Sequence, residues 1–464
     1  MYETILARSF SRHEQKKLGF GAFVCCLLIA LSFCTVFRSY LGPLPNLKLR
    51  LSVGVHHKLL KDTSSSNENE ITSPQIDKDE EIVTEKVVLL CTKEERTDFC
   101  GIEGDVRVHG NTSSVYSVTG QLSILAENTS WSVRPYARKE DPAAMSGVRE
   151  WTVKPVDGSH EIPQCTKNHS IPAVLFSIAG YLGNPFHDFA DVLIPLFSTS
   201  RKFNGEVQFL ITDKQPWWIS KFQVVLNALS KYELIDIDTD NEVHCFPAVT
   251  VGLKRYHIEL SMDPSYNYSI KDFRDFLRNV FSLKRAKAIK ISDDQRKKPR
   301  LLIISRNRTR SFINTGQIGK LAESLGYEVV IAEAENVSSF AEIVNSCDVM
   351  MGVHGAGLTN MLFLPENAIL IQVLPYGGFE WLATGYGSDP SKDMDLKYLE
   401  YKIRMEESTL IQQYPLDHEV LRDPSSIQKQ GWKAFGSVYM NKQNVKLDIN
   451  RFRPTLMKAL ELLH

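Results

Sequence analysis

Three observations predict an α/β protein built from two Rossmann-like domains behind an N-terminal membrane anchor. Short apolar runs alternate with capped helices in the C-terminal half, a less regular version of the same pattern precedes it, and residues 18–37 carry no charge. The chain has 464 residues, enough for two or three globular units at roughly 100 to 200 residues each. Its 54 Lys and Arg against 55 Asp and Glu give a formal net charge of -1, which excludes a dedicated nucleic-acid binder. With 43% hydrophobic and 23% charged residues, the chain is neither globally disordered nor a polytopic membrane protein.

Taken in order, residues 1–17 are basic through Arg8, Arg12, Lys16 and Lys17, and predict a cytoplasmic tail. Residues 18–37 are long and apolar enough to span a bilayer, and end in Thr35-Val36-Phe37-Arg38 rather than in a small-residue cleavage site, so an uncleaved signal anchor is expected. Residues 38–85 are polar and poor in aromatics, as in a stem. Two globular parts follow, a first domain over 86–295 and a second over 296–464 with a C-terminal helix near 453–463 that is expected to cross back onto the first. The basic, proline-closed stretch from Lys284 to Arg300 marks their boundary.

In the first part, Ala173 to Ser177 and Val207 to Thr212 read as strands, with helices from about Phe186 and Trp217. In the second, the runs Leu301–Ser305, Tyr327–Ala332, Val349–Val353 and Ala368–Val373 read as parallel strands. Asn314-x-x-Gln317 and Ser339-x-x-Glu342 read as helix starts. Acceptors for N-glycosylation at Asn111, Asn128, Asn168, Asn267 and Asn336 all lie beyond the anchor; Asn307 also heads such a triplet but sits inside a candidate binding motif. Cys91, Cys100, Cys165, Cys245 and Cys347 follow the anchor, an odd number that leaves one unpaired, and Cys91 with Cys100 is the natural pair on proximity.

Ligands of an open parallel sheet bind beyond its strand C-termini. There stand Ser305-Arg306-Asn307-Arg308-Thr309-Arg310 and the turn His354-Gly355-Ala356-Gly357 with Asn360, so that guanidinium groups and free backbone amides meet at one edge. Arg306, Arg310, His354, Gly355, Ala356, Gly357 and Asn360 form the candidate anion site. The glycines could equally serve a tight turn, with His354 capping the short helix. Glu380 is placed to accept from ribose hydroxyls. At the strand exits of the first part, His187, Asp188 and Asp213 are the candidates for a general base. Asp236-Ile237-Asp238-Thr239-Asp240 contains D-x-D, yet lacks the glycine of a calcium loop, and no metal is expected.

The chain resembles plant glycosyltransferase family 61, which includes xylan arabinosyl- and xylosyltransferases. The likeness rests on Gly104-Asp105-Val106-Arg107, Arg134-Pro135-Tyr136-Ala137-Arg138-Lys139, Gly183-Asn184-Pro185-Phe186-His187-Asp188-Phe189, Ser305-Arg306 with Arg310, Gly352 to Asn360, and Gln443-Asn444-Val445. The resemblance implies a GT-B-like cleft between the two domains and an inverting pentosyltransferase of the Golgi membrane, single-pass with its catalytic region in the lumen. The implied donor is UDP-xylose or, second, UDP-arabinofuranose, and the implied acceptor is xylan, with an N-glycan as an alternative. Assembly with other Golgi glycosyltransferases, or a non-catalytic scaffold of the same fold, completes the range.

Overall fold

The computed structural model describes residues 88–119, 130–157, 162–291 and 297–464. The anchor, the stem and Asn128 lie outside these residues, and no helix within them is long and apolar enough to cross a membrane. The described chain belongs to one unit, Glu81–His464, with mixed α/β structure in two sheets.

The C-terminal sheet has five parallel strands: β11 (Arg300–Ile304), β12 (Glu328–Ala332), β13 (Val349–Val353), β14 (Ile369–Leu374) and β15 (Lys397–Lys402), in the order β12-β11-β13-β14-β15. Every residue of β13 and β14 is buried, as continuous apolar runs covered on both faces require. The edge strand β15 is absent from the sequence expectation because its Lys-Tyr-Leu-Glu-Tyr-Lys reads as polar surface.

The helix before β12, α3 (Thr315–Ser324), starts where expected, but Asn314 makes no capping bond to the backbone; its Nδ2 donates instead to Gln317 and to the Leu447 carbonyl. The next, α4 (Val337–Asn345), starts earlier than Ser339. Asn336 caps it, accepting from the Ser338 and Ser339 amides at 3.0 and 3.2 Å. The terminal helix, α5 (Ile449–Leu462), packs Phe452, Leu456 and Ala459 mainly against Leu301, Ile303 and Tyr327 of the same lobe, and the carbonyl of Leu463 just after it accepts from the Ile291 amide, in the last residues assigned to the first part.

The N-terminal lobe has β1 (Val88–Lys93), β2 (Asp98–His109), β3 (Ser114–Thr119), β4 (Trp131–Val133), β5 (Trp151–Asp157), β6 (Lys167–Asn168), β7 (Ala173–Ser177), β8 (Gln208–Thr212), β9 (Ile235–Asp236) and β10 (Val243–Val251). Strands β10, β7, β8 and β9 run parallel, as a Rossmann-like half demands, but β2 pairs with β10 antiparallel and extends the sheet into β3, β5 and β4. This extension departs from the expectation of a simple second Rossmann-like half. Its strands alternate buried and exposed residues instead of forming apolar runs, so charged positions interrupt the signal. Two disulfides fasten it, Cys91–Cys100 between β1 and β2 and Cys165–Cys245 onto β10, while Cys347 is free and buried.

The lobes share one apolar core in which Phe189 lies 5.9 Å from Phe363 and 6.5 Å from Phe273. The helix α1 (Pro216–Leu229) flanks β8, and α2 (Ile270–Val280) sends the buried Arg274 to the carbonyls of Leu362, Leu364 and Met394. Downstream, Arg285 joins Asp348 and the Ser346 carbonyl. The chain is therefore tied to the second lobe before β11 begins, and this fixes the loop after β7 over the exit of β13.

Candidate functional site

A cavity of about 550 Å³ opens between the lobes. The first lobe contributes the loop and helix start from Leu182 to His187; the second contributes Arg306, Arg310, His354, Gly355, Ala356, Gln372 and Tyr386. Six residues singled out in the sequence thus line one space: His187, Arg306, Arg310, His354, Gly355 and Ala356. Phe186 and Tyr386 close it from opposite lobes, their rings 4.8 Å apart.

Its cationic wall forms at the exits of β11 and β13. Arg306 donates through Nε to the Thr309 carbonyl at 2.8 Å, and Arg310 through Nη1 to the His354 carbonyl at 2.8 Å. Among the described residues neither guanidinium has an ion-pair partner, and the Arg310 Nε is buried without a hydrogen bond. Burial lowers the pKa of both, with Glu333 drawing that of Arg306 partly back; Arg310, beside the like charge of Arg306, is pushed down to about 10. Buried charges are ordinarily paired, so the buried Arg310 and the adjacent, half-buried Arg306, facing a cavity with no carboxylate among the described residues in contact with either, form a receptor for an anion.

Arg310 sits at φ 56, an uncommon conformation for a side chain of its size. The Gln443-Asn444-Val445 segment holds it there: the Arg310 amide donates to the Gln443 carbonyl at 2.7 Å, and Ser311 donates twice to Asn444 Oδ1. Gly355, at φ 153, completes the wall because a Cβ there would come within 2.7 Å of Arg306 Nη1 and 2.8 Å of Arg310 Nη1. The glycine leaves room for the guanidinium groups to converge.

The ring of His354 stays neutral, since burial and then Arg310 and Arg306 push its pKa down to about 3. Gln372 accepts from Tyr398 through Oε1 and so presents its amide nitrogen to His354 Nδ1, 2.6 Å away. The ring proton is therefore on Nε2. The expected short helix after the turn is a 3-10 helix, Ala356–Phe363.

Across the cavity, His187 ends the first turn of a helical run in which Pro185–His187, a π-turn over Asp188–Leu193, and Ile194–Ser200 follow without a break. Wide π-turns recur at functional sites. His187 Nδ1 lies 2.8 Å from Asp191 Oδ2. Tyr136 and Arg138 donate to the same oxygen at 3.0 and 2.7 Å, and Arg255 pairs with Asp191 Oδ1 at 2.9 Å. Burial acts to raise the Asp191 pKa, but Arg255, the His187 hydrogen bond and Arg138 outweigh it and hold the carboxyl well below the usual range. An ionised carboxylate only accepts, so the hydrogen bond to Asp191 places a proton on His187 Nδ1, and in the neutral ring the lone pair is on Nε2. Glu259 balances the second positive charge by pairing with both Arg138 and Arg255.

Other candidates fall elsewhere. Asp188 is buried under the cavity floor, accepting from the Gly183 amide and Trp218 Nε1 and pairing with Lys221 at 2.7 Å. Asp213 accepts from Ser177 Oγ at 2.6 Å and from the Arg149 amide, which ties the ends of β7 and β8 together. Asn360 is buried and donates to the Gly357 carbonyl, and neither residue lines the cavity. Glu380 is exposed and paired with Lys402. The carboxylates of the acidic turn splay apart: Asp236 faces Lys214, Asp238 faces Arg149 and Asp240 faces His244. Asp105 lies close to Cys165 and Cys245, but those sulfurs form a disulfide. Asn111, Asn168, Asn267 and Asn336 are exposed, as is Asn307, which donates to Glu333.

Sequence reasoning passed over Asp191, Arg255, Glu259, Gln372 and Tyr386, and gave no role to Tyr136 and Arg138. A signal existed for one of them: His187-x-x-x-Asp191 places imidazole and carboxylate on one helix face.

The glycosyltransferase 61 family profile matches residues 186–371, which span the His187, Arg306, Arg310 and His354 segments. The chain is 49% identical over 376 residues to an alpha-1,3-arabinosyltransferase of Oryza sativa subsp. japonica, covering 80% of this chain and 63% of that protein. It is 43% identical over 389 residues to a beta-1,2-xylosyltransferase of the same organism, covering 80% and 83%. A xylan glycosyltransferase of Arabidopsis thaliana is 35% identical over 414 residues, covering 85% and 82%. The chain thus spans less than two thirds of the length of the rice arabinosyltransferase.

Proposed function

This chain belongs to the glycosyltransferase 61 family, and we propose that it transfers a pentose from a UDP-sugar to a xylan side-chain position with inversion. The observation that carries this reading is the uncompensated pair Arg306 and Arg310 on a cavity whose other wall holds a base-ready histidine. The donor diphosphate lies against the two guanidinium groups, which match phosphate oxygens in bidentate fashion. The acceptor hydroxyl attacks the anomeric carbon as the bond to the UDP oxygen breaks, and its proton passes to His187 Nε2. Asp191 fixes the ring and steadies the imidazolium that forms. Negative charge that grows on the departing UDP meets cations already in place, so stabilisation increases along the reaction.

In this proposal the lobes form a GT-B-like cleft, and no metal is needed because the arginines neutralise the diphosphate. UDP-xylose is the preferred donor; UDP-arabinofuranose is the second reading, favoured by the similarity to arabinosyltransferases. The proposed location is the Golgi lumen, with residues 18–37 as anchor. Two disulfides and exposed acceptor asparagines suit an oxidising, glycosylating compartment. The test is UDP release by the detergent-solubilised full chain with each donor, with and without xylan oligosaccharide, in excess EDTA. Acceptor-dependent release in EDTA is expected; release restored only by manganese would overturn the metal-free mechanism.

A further inference from the structure

Tryptophan is the residue whose exposure is hardest to explain by packing alone, because so much apolar surface is left in water. Of the 6 tryptophans in the chain, three stand half exposed: Trp217 at 50%, Trp381 at 57% and Trp432 at 57%. All three adjoin the cavity, from both lobes. Trp432 lines it directly. Trp381 packs edge-on against Trp432, ring centroids 6.2 Å apart, and precedes the cavity-lining Leu382. The Trp217 ring lies 2.9 Å from where a Cβ on the cavity-lining Gly183 would stand.

Each is held on a fixed base. Trp432 leans on the buried Phe435 at 5.6 Å, Trp381 lies in a short helix whose Leu382 and Ala383 are buried, and Trp217 opens α1 beside the fully buried Trp218. Rigid indole faces in water, spaced around the mouth of a transfer site, offer what an extended polymer of neutral sugar rings needs. The C–H faces of a pyranose are apolar and stack on aromatic planes, while its hydroxyl rim stays in water.

We propose that Trp381, Trp432 and Trp217 form an aromatic shelf that binds the unbranched backbone of the xylan acceptor on either side of the sugar that enters the cavity. The occupant follows from continuity with the cavity: a chain presenting a hydroxyl to His187 must leave the site over this rim. Xylopyranose units, which lack the exocyclic hydroxymethyl group, present flat faces to such a surface. This inference rests on the proposed pentosyl transfer for its choice of polymer.

The shelf predicts a preference for long acceptors that depends on residues outside the reacting centre. Rates of the detergent-solubilised full chain at saturating UDP-xylose are measured with xylobiose and xylohexaose, alongside calorimetric titration of xylohexaose without donor. The wild type is expected to show a KM for xylohexaose at least about tenfold below that for xylobiose. Trp381→Ala should raise the xylohexaose KM roughly five- to tenfold and the xylobiose KM less than about twofold, and Trp381→Phe should restore most of the difference. A UDP-induced rise in melting temperature in each variant shows that the cavity is folded. Equal KM shifts for both lengths, or none, would overturn the shelf. If the wild type transfers no pentose at all, the proposed function fails while the titration still decides the shelf: xylohexaose binding weakened by Trp381→Ala supports it, and absent binding overturns it. Concentration-dependent dimerisation abolished by Trp381→Ala, with no xylohexaose bound, would assign the patch to a second copy of the chain and likewise overturn it.

Discussion

Two pairs of arginines serve the two sides of the cavity from opposite surroundings: Arg306 and Arg310 line it, whereas Arg138 and Arg255 lie behind it and act on it only through Asp191, which holds His187. Arg138 and Arg255 are matched by Asp191 and Glu259, and Arg96, which also reaches Glu259, is matched by Glu140, three cations with three carboxylates. Arg306 and Arg310 sit together with no ion-pair partner among the described residues, and their own bonds go to neutral carbonyls. Balanced charge is architecture; here it holds the histidine ring in one orientation. Unbalanced charge is an unsatisfied demand that a ligand can meet, and its cost is borne by the empty protein. In the proposed mechanism the same residue type therefore acts in one group by being neutralised and in the other by remaining without an ion-pair partner.

The largest expected effect tests the balanced side. His187→Ala should lower kcat at saturating acceptor by about 100- to 10000-fold, the range for loss of a general base, while UDP affinity measured by calorimetry is retained. A fall of less than tenfold would remove His187 from the chemistry and leave the network around Asp191 purely structural.

Stability then separates the two groups by sign. Arg138→Met leaves Asp191 and Glu259 short of a cation and should destabilise the protein by about 3 to 5 kcal/mol in urea unfolding. Arg310→Met removes a charge that nothing neutralises and should stabilise the ligand-free protein by up to about 1 kcal/mol while weakening UDP binding. Destabilisation of equal size in both variants would erase the distinction.

A separate readout is the pH dependence of stability. His354 has its pKa lowered from 6.5 to about 3, so the unfolded state binds the proton first as pH falls. Its contribution to stability is full above pH 6.5 and is lost progressively down to pH 3. His354→Gln should flatten the unfolding curve in that window relative to wild type. Parallel curves would show that the ring is not held neutral by its buried position beside the arginines.

What the sequence disclosed follows from range. Apolar runs such as Val349–Val353 are local, and that strand falls at the expected residues; the strand-end rule then groups Arg306, Arg310 and His354 without any knowledge of the tertiary structure. The cap at Asn336 was also local, but a better-known pattern three residues on masked it. Long-range contacts were not legible. Arg138 reaches Asp191 across 53 positions and Arg255 reaches the Ala137 carbonyl across 118, separations over which no periodicity carries information. The same holds for Asp188, whose position beside His187 suggested chemistry until the fold turned it toward Lys221 and Trp218.

Calorimetric titration of UDP, in EDTA, into wild type and Arg306→Ala tests the central claim most directly. If the uncompensated arginines form the diphosphate site, the wild type binds UDP without metal, and the variant, still folded, loses turnover by about 100- to 1000-fold with clearly weaker binding, Lys at the same position recovering only part. Unchanged UDP affinity together with unchanged turnover in Arg306→Ala would contradict the account and move the donor elsewhere.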